Sequence, residues 1–403
     1  MKKLFFTLLF LSVISSAFTQ IPSCDGNRYK NSVFGSVDSI VDIQYGRNYT
    51  MNDVLQNLTL NLYYPEMDTV TKRPLIIFLH GGSFVRGDKQ ETRELCTLFA
   101  LRGFVTATID YRLIDVTLTD SNTIFEGLVD AMSDTKAAIR FFVEDAATLN
   151  LYKIDTNYIF ISGVSAGGII ASHVAYLDST DNIPAYISNL IYANGGFSGN
   201  SSANTSHTTP IKGVLNYSGA LMRKDFISTG EPALFSAHDD GDTIVPCNHG
   251  LSYVSACPVY CDGSCAMQQE ANLKGVYNDI FLNHTIGHCA YFFSSSLADS
   301  VIEKSADFLY RIICTTIVAV NNPDHLQNKM QLTPNPADET IRVEFPTTFK
   351  TKEQFLLFNS MGLLLREVEA KQSIQINISD LPKGLYFIHL KHHPDQTQSF
   401  IKL

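Results

Sequence analysis

The chain has 403 residues, which is longer than one typical domain and suggests two. Its hydrophobic content of 45% is that of a globular protein with a full core. Its formal net charge of −10 argues against a nucleic-acid partner, because phosphate binding needs clustered Lys and Arg. Beyond the N-terminal segment, no stretch is long and apolar enough to cross a membrane.

The N-terminus has the layout of a secretory signal peptide, which we predict over residues 1–20. Two lysines precede an apolar run that is too short to span a bilayer, and small residues then lead to a cleavage site between Ala17 and Gln20. The alternative is a lipoprotein that is acylated at Cys24. Gln20 and Pro22 disfavour it, because they stand where such a site prefers small or apolar residues.

The first part of the globular region predicts strands and a glycine-rich turn. Residues 36–64 alternate as antiparallel strands do, and the apolar run 75–79 predicts a buried strand that ends at His80-Gly81-Gly82. Glycines at this place let backbone N–H groups approach a substrate oxygen, so Gly81 and Gly82 are candidate oxyanion-hole donors. Further along, the pattern predicts a helix over 90–101, a strand over 104–109 and a helix over 125–147.

The most informative segment is the strand–turn–helix pattern of residues 158–171. An apolar strand enters Gly163-Val164-Ser165-Ala166-Gly167, and a helix-forming segment leaves it. This is the context of a nucleophile elbow, because small residues let a sharp, strained turn lift one serine hydroxyl above a sheet. We therefore predict Ser165 as the nucleophile, with the N–H of Ala166 as a further oxyanion-hole donor.

The segment 178–210 interrupts the pattern of strands and helices. It is too polar to be core, and it is either a lid or a surface insertion. Apolar runs then predict strands over 211–217, 233–237 and 275–282, and a last helix over 297–313. Strands that alternate with helices imply a doubly wound, mostly parallel sheet with helices on both faces, whose catalytic groups lie at the carboxyl ends of the strands.

Downstream of Ser165 the chain carries Asp242 and His288, in the order Ser, Asp, His. With His80-Gly81-Gly82 and the segment Asp110-Tyr111-Arg112-Leu113, these residues resemble the α/β-hydrolase superfamily, and specifically its esterases with a His-Gly-Gly oxyanion loop. The resemblance covers residues 40–315. It implies an α/β-hydrolase fold and a serine hydrolase that needs no cofactor and no metal.

Two choices within the triad rest partly on this resemblance. Asp242 is preferred over Asp239 and Asp240 as the acid, because it precedes Thr243-Ile244-Val245-Pro246 as the acid does in similar esterases; Asp239, closer to the strand end, is the main rival. His288 is preferred over His284 as the base, because Gly287 before it suits a loop that presents an imidazole, and the family pattern favours Gly-His.

Aromatic side chains near these motifs are candidates for a substrate pocket. Phe84, Tyr111 and Phe197 are the ones we select, and Tyr217 and Phe292 lie in similar positions of the sequence. The alternative is that these rings only pack against the sheet.

Eight cysteines in an exported chain favour disulfides. Cys257, Cys261 and Cys265 also invite a metal site, but their spacing is not Cys-x-x-Cys and no His lies among them. We expect Cys289 to tether the His288 loop, with Cys314 as its suggested partner.

The texture of the sequence changes near residue 320. A polar linker over 321–330 separates the catalytic region, residues 21–320, from a C-terminal region, 331–403, of short alternating strands with Gly, Pro and Asn turns. Pro334-Asn335-Pro336-Ala337, the segment 381–386 and the closing Ile401-Lys402-Leu403 resemble the C-terminal sorting domain of the type IX secretion system. That resemblance implies a small all-β sandwich, recognition by the secretion machinery, and export through the periplasm of a diderm, Bacteroidetes-like bacterium to the cell surface or medium. The alternative is a carbohydrate-binding module, although the chain has no Trp to stack on sugars.

These patterns together predict an exported serine carboxylesterase that works through an acyl-enzyme, with acetyl or feruloyl groups of polysaccharides as suggested substrates. One alternative is a serine peptidase of the prolyl-oligopeptidase type, but residues 21–70 leave no room for the large β-domain that such enzymes usually carry. Another is a non-catalytic surface-binding protein of the same fold. The intact Ser165, Asp242 and His288 argue against it.

Overall fold

The computed structural model describes residues 24–117, 120–253, 257–315, 331–344, 353–359, 363–370, 373–391 and 393–403. The chain forms two compact units that divide after residue 316. The predicted signal peptide, residues 1–20, and the linker, residues 321–330, lie outside the described residues and stay predictions.

Eleven strands and six α-helices make up the described part of the first unit. The strands are β1 Val37–Tyr49, β2 Leu55–Pro65, β3 Arg73–Leu79, β4 Val105–Ile109, β5 Ile154–Val164, β6 Gly213–Tyr217, β7 Ala220–Leu221, β8 Ala233–Asp239, β9 His249–Ser252, β10 Val259–Gly263 and β11 Asn278–Asn283. The helices are α1 Arg93–Ala100, α2 Ser121–Ala147, α3 Ala166–Tyr176, α4 Ala185–Ala193, α5 Ser264–Lys274 and α6 Ser295–Cys314.

Eight of these strands form one sheet in the order β1-β2-β4-β3-β5-β6-β8-β11. Strand β1 pairs antiparallel with β2, and β2 pairs antiparallel with β4. The five remaining neighbouring pairs of the sheet are parallel. Helix α1 connects β3 to β4, α2 connects β4 to β5, and α3 lies between β5 and β6, as crossover connections between parallel strands require. Strand β7 and a 3-10 helix connect β6 to β8. The predicted α/β-hydrolase fold is confirmed.

The sheet is covered on both faces, and β3 shows why its sequence is continuously apolar. Leu75, Ile77 and Leu79 point into the core that packs against α2 and α3. Ile76 and Phe78 point into the opposite core, which packs against α1 and α6. A strand that is buried on both faces has no place for a polar residue, so it reads as an unbroken apolar run.

Five elements of the first unit were not predicted from the sequence, namely the helices α4 and α5 and the strands β7, β9 and β10. Helix α4 lies inside the polar segment 178–210, and α5 follows the small antiparallel sheet β7-β10-β9. Helix α5 carries little apolar periodicity, and β7 and β10 are held by pairing between residues about forty positions apart. Periodicity in a single stretch of sequence does not report such contacts.

The second unit is all-β, as predicted. Its strands are β12 Gln331–Thr333, β13 Thr340–Glu344, β14 Glu353–Asn359, β15 Leu364–Ala370, β16 Ser373–Asn377, β17 Gly384–Leu390 and β18 His393–Lys402. They form two antiparallel sheets, β12-β13-β16 and β15-β14-β17-β18. Residues from both sheets, such as Ile341, Leu357 and Ile388, share one buried cluster, which is the arrangement of a sandwich.

Two disulfides are present, Cys24–Cys314 and Cys247–Cys265. The expectation of disulfides is confirmed, but the suggested Cys289–Cys314 pair is wrong, because the thiol of Cys314 is bonded to Cys24. The same bond leaves no thiol on Cys24 for acylation.

A cysteine metal site is also excluded for Cys265, and within the described ranges no three His, Cys, Asp or Glu residues are grouped as metal ligands. No helix of the described chain has the length and apolarity of a membrane span.

Candidate active site

Ser165 occupies the sharp turn between β5 and α3. Its backbone adopts φ 56° and ψ −119°, a strained conformation for a residue with a side chain. Gly167 permits the turn, because a Cβ on it would lie 2.3 Å from the carbonyl oxygen of Leu79 on the neighbouring strand. The N–H of Ser165 donates to the carbonyl of Tyr217 at 2.8 Å, so β6 holds the turn from its other side.

His288 connects Ser165 to Asp242 by two short hydrogen bonds. Its Nε2 lies 2.7 Å from Ser165 Oγ, and its Nδ1 lies 2.6 Å from Asp242 Oδ2. Since an ionised carboxylate only accepts hydrogen bonds, Nδ1 carries the proton and Nε2 is free to accept the serine proton. The geometry therefore joins a hydroxyl, an imidazole and a carboxylate in the order that a nucleophile, a base and an orienting acid require.

Asp242 is held by its own loop. Its Oδ1 accepts from the N–H groups of Ile244 and Val245 at 2.8 and 3.0 Å, which leaves Oδ2 for His288. Beside it, the fully buried His238 donates from Nε2 to the carbonyl of Val245 at 2.9 Å, and its Nδ1 is bonded to Ser264 Oγ at 2.7 Å. The sequence offered no partner for His238. Burial lowers its pKa, so it braces the acid loop as a neutral group.

The rival acid and base residues have other partners. Asp239 is fully buried and accepts from Asn283 Nδ2 at 2.6 Å and from the N–H of Ala290 at 2.7 Å. It therefore holds the loop that carries His288 on both sides of that histidine. Asp240 pairs with His284 at 2.6 Å on the exposed surface.

The electrostatics at His288 favour its charged form. Burial alone would lower its pKa, but the hydrogen bond with Asp242 and the interaction with the neighbouring Cys289 side chain outweigh burial and raise the pKa above its ordinary value. The imidazolium that forms when His288 takes a proton is thus stabilised. The neutral form, which can accept the serine proton, becomes dominant only above this raised pKa.

The loop after β3 brings Gly81 and Gly82 to Ser165. A Cβ on Gly81 would lie 3.5 Å from the Cβ of Ser165, and Gly82 adopts φ +100°, which favours glycine. His80 supports this loop by donating from Nδ1 to the carbonyl of Gly81 at 2.8 Å. Ala166 is the first residue of α3, where N–H groups have no partner within the helix. Gly81 and Gly82 line the same cleft as Ser165, and Ala166 follows the serine directly.

Tyr111 supports this loop from below and does not line the cleft. Its hydroxyl donates to the carbonyl of His80 at 2.8 Å, and its ring stacks on the ring of His80 at 4.3 Å. Its neighbours Asp110 and Arg112 also form structural contacts. Asp110 accepts from the N–H of Lys89 at 2.9 Å, and Arg112 pairs with the buried Asp134 of α2 at 2.9 Å.

The structure also places the other two predicted pocket residues away from the cleft. Phe84 is 2% exposed and lines a small apolar pocket with Leu128 and Ile169. The ring of Phe197 packs over Lys136, whose Nζ donates to the Phe197 carbonyl at 2.7 Å. For all three aromatic residues, the alternative of packing describes their positions better than a role in the cleft.

Segment 178–210 is packed against α2. Ser198 and Ser201 bind α2 through Arg140 Nη1 at 2.5 Å and Ser133 Oγ at 2.9 Å. No residue of this segment lines the cleft around Ser165. In this conformation the segment is a packed insertion and does not cover the site.

A cleft of about 880 Å³ opens above Ser165 and His288. Helices α1 and α6 form its far walls. Its apolar lining includes Leu95, Leu98, Ile244, Tyr253, Phe292, Phe293 and Ile302, and its charged lining includes Arg86, Glu91, Glu94 and Asp299. Of the aromatic residues considered from the sequence, Phe292 belongs to this lining. Sequence reasoning missed the other residues because they come from segments that lie far apart in the chain.

Two family models match the chain. Residues 60–221 match BD-FAE, a family of α/β-hydrolase esterases, and residues 331–402 match the secretion system C-terminal sorting domain. The first match begins within β2 and ends with β7, and it therefore contains Ser165 and the glycine loop. Asp242 and His288 lie beyond it.

Two curated relatives are similar to parts of the chain. A probable isoprenylcysteine alpha-carbonyl methylesterase of Oryza sativa subsp. japonica is 34% identical over 113 residues, which are 28% of this chain and 24% of that protein. Probable carboxylesterase 6 of Arabidopsis thaliana is 30% identical over 188 residues, 43% of this chain and 52% of that protein. The chain thus spans about a quarter and about half of the lengths of these relatives.

Solved structures with a similar fold include esterase 2 of Thermogutta terrifontis, phosphorylated by paraoxon. It is 20% identical, with a TM-score of 0.49 over 68% of this chain and 94% of that one. A truncated carbohydrate esterase from gut microbiota is 17% identical, with a TM-score of 0.48 over 68% of this chain and 96% of that one.

Proposed function

We propose that this chain, an α/β-hydrolase with a secretion system C-terminal sorting domain, is an exported serine carboxylesterase. The observation that carries the proposal is the continuous hydrogen-bonded chain from Ser165 Oγ through His288 to Asp242, with distances of 2.7 and 2.6 Å. A turn serine with a structural role has no need of a half-buried, carboxylate-oriented imidazole at its hydroxyl.

In the first half of the reaction, Ser165 Oγ attacks the ester carbonyl while His288 Nε2 takes the serine proton. The carbonyl oxygen becomes an oxyanion, which the N–H groups of Gly81, Gly82 and Ala166 stabilise; each such donor is worth about 2.7–4 kcal/mol of the barrier. Collapse of this intermediate breaks the bond to the alcohol oxygen, which receives the proton from His288.

In the second half, water attacks the acyl-enzyme and His288 takes one of its protons. The same oxyanion forms again, and its collapse returns the proton to Ser165 Oγ and releases the acid. Throughout the reaction Asp242 holds the imidazole in the tautomer with Nδ1 protonated.

As substrates, we propose acetyl or feruloyl esters of polysaccharides. Export through the sorting domain supports this proposal, because it directs the enzyme to extracellular polymers. The open cleft of about 880 Å³ supports it too, since the alcohol part of such an ester is large. The route through the periplasm and the final attachment at the surface of a Bacteroidetes-like cell belong to the same proposal.

The test is to treat the mature protein with a fluorophosphonate probe, locate the label by mass spectrometry, and assay p-nitrophenyl acetate in parallel. We expect the label on Ser165, and Ser165→Ala to lower kcat by about 10⁵-fold or more with the fold intact. Ser162→Ala is the matched control, because Ser162 is a buried serine of β5 whose hydroxyl has no hydrogen-bond partner. Turnover retained by Ser165→Ala would exclude the triad.

The same preparation separates the alternatives. Cleavage of a prolyl-peptide anilide without ester turnover would favour the peptidase. A folded protein that takes no label and turns over neither substrate would favour a binding protein.

A further inference from the structure

Phe293 is a large apolar side chain in the active-site cleft that is almost fully exposed to solvent. Its side chain lines the cleft that contains Ser165 and His288, yet it is 86% exposed. Its neighbour Phe292 is packed, with ring centroids 5.5 Å from Tyr217 and 4.7 Å from Tyr291. An aromatic ring that is exposed to solvent inside a cleft has an apolar face with which another molecule can make contact.

Phe293 is also attached to the element that positions the base. It ends a short 3-10 helix, Ala290–Phe293, that begins directly after the His288 loop. The N–H of Ala290 donates to Asp239 at 2.7 Å, and the N–H of Phe292 donates to the carbonyl of Cys289 at 3.0 Å. The backbone around Phe293 is therefore held at a set place relative to His288.

The chemistry decides which part of an ester comes to this wall. His288 must deliver the serine proton to the alcohol oxygen, so that oxygen lies within hydrogen-bond reach of Nε2 when the ester bond breaks. The rest of the alcohol then extends along the part of the cleft that adjoins His288. Phe292 and Phe293, four and five residues after His288 in the chain, line the same cleft, together with Asp299 and Ile302 of α6.

We propose that Phe293 is a specificity-determining residue that packs against a ring of the leaving alcohol. The inference rests on the proposed esterase function and adds to it: the enzyme distinguishes esters by the alcohol side, and it prefers ring-bearing alcohols to short open-chain ones. The ring of Phe293 supplies a flat apolar face, which both aryl rings and sugar rings can cover.

The test uses three esters that separate the two sides of the bond. Phenyl acetate carries its ring on the leaving group, ethyl benzoate carries it on the acyl group, and ethyl acetate carries none. We expect Phe293→Ala to lower kcat/KM for phenyl acetate about 3- to 10-fold, mainly through KM, and to leave the two ethyl esters within about twofold of the parent. Phe293→Leu should lose part of the effect, and because the side chain is exposed, both variants should melt as the parent does.

Tyr192→Ala is the matched control, since Tyr192 is 85% exposed and belongs to α4, outside the cleft. An equal loss on all three esters, or a loss confined to ethyl benzoate, overturns the inference while the esterase function stands. If the parent protein hydrolyses none of the three, the proposed function fails and this inference fails with it.

Discussion

Asp239, Asp240 and Asp242 lie within four residues of one another, yet each has a different task. Asp242 orients His288, Asp239 holds the loop on both sides of His288, and Asp240 pairs with His284 at the surface. Their chemistry is identical. What separates them is the direction in which the end of β8 and the turn after it point each side chain.

The aspartates provide the first prediction. Asp242→Asn should lower kcat on p-nitrophenyl acetate by about 10³- to 10⁴-fold, because an amide no longer stabilises the tautomer with Nδ1 protonated. Asp239→Asn should lower kcat about 10-fold, since it weakens only the hydrogen bonds that support the His288 loop. Asp240→Asn is the surface control and should change kcat less than twofold. If Asp239→Asn were the most damaging of the three, the acid would be Asp239.

Cys289 provides the second prediction, through the pH dependence. Only neutral His288 can accept the serine proton, so activity rises with pH through the His288 pKa. That pKa is raised in part by the interaction with the neighbouring Cys289 side chain. Cys289→Ala should therefore lower it, and the midpoint of kcat/KM against pH should move to lower pH by about 0.4–1 pH unit. Cys289→Ser keeps a polar partner and should stay close to the parent profile. An unchanged midpoint in Cys289→Ala would show that the thiol has no such influence.

At the scale of elements, the site is assembled from the ends of neighbouring parallel strands. The glycine loop follows β3, Ser165 follows β5, Asp242 follows β8, and His288 follows β11. Since parallel strands end at the same edge of the sheet, segments more than a hundred residues apart in the chain meet there. One disulfide, Cys247–Cys265, lies next to this edge, and the carbonyl of Cys247 accepts from the N–H of Cys265 at 2.7 Å.

The two disulfides should therefore differ in what they support. Cys24→Ala/Cys314→Ala opens a loop with a sequence separation of 290 and should lower the free energy of unfolding by about 2–5 kcal/mol, with kcat unchanged. Cys247→Ala/Cys265→Ala should lower kcat about 10-fold as well, because Ser264 beside Cys265 braces His238 against the Asp242 loop. Urea unfolding and ester kinetics on both pairs measure this. If kcat falls in Cys24→Ala/Cys314→Ala but not in Cys247→Ala/Cys265→Ala, these roles of the two disulfides are wrong.

At the scale of the whole molecule, the two units have separate cores. The buried clusters of the first unit lie on the two faces of the eight-stranded sheet, and every predicted catalytic residue belongs to that unit. The β-sandwich buries its own cluster, which includes Ile341, Phe355 and Phe400. A domain with its own core can fold alone.

The fragment 21–320 should accordingly keep the activity of the full chain. We expect its kcat and KM on p-nitrophenyl acetate to lie within about twofold of those of residues 21–403, because the second unit supplies none of the proposed catalytic groups. Export of a reporter protein fused to residues 321–403 tests the complementary function. A fragment 21–320 that is soluble and folded but inactive would show that the sandwich contributes to the site.

The sequence alone was sufficient for the fold class and for candidates for each catalytic role. An apolar strand before Gly163-Val164-Ser165 and small residues after it leave few structures other than an elbow, since the constraint is local and steric. The sequence also predicted that β3 is buried on both faces, because a strand buried on both sides has apolar residues at successive positions.

Only the tertiary structure decided between residues of equal chemistry and assigned partners across the chain. Asp242 differs from Asp239, and His288 from His284, by the direction of a loop. Cys314 pairs with Cys24 instead of Cys289, and Tyr111 lies beneath the glycine loop instead of in the cleft, because of contacts between segments that are distant in sequence. Side-chain identity and spacing determine which chemistry is possible, whereas the packing of the strands and loops determines which side chains meet.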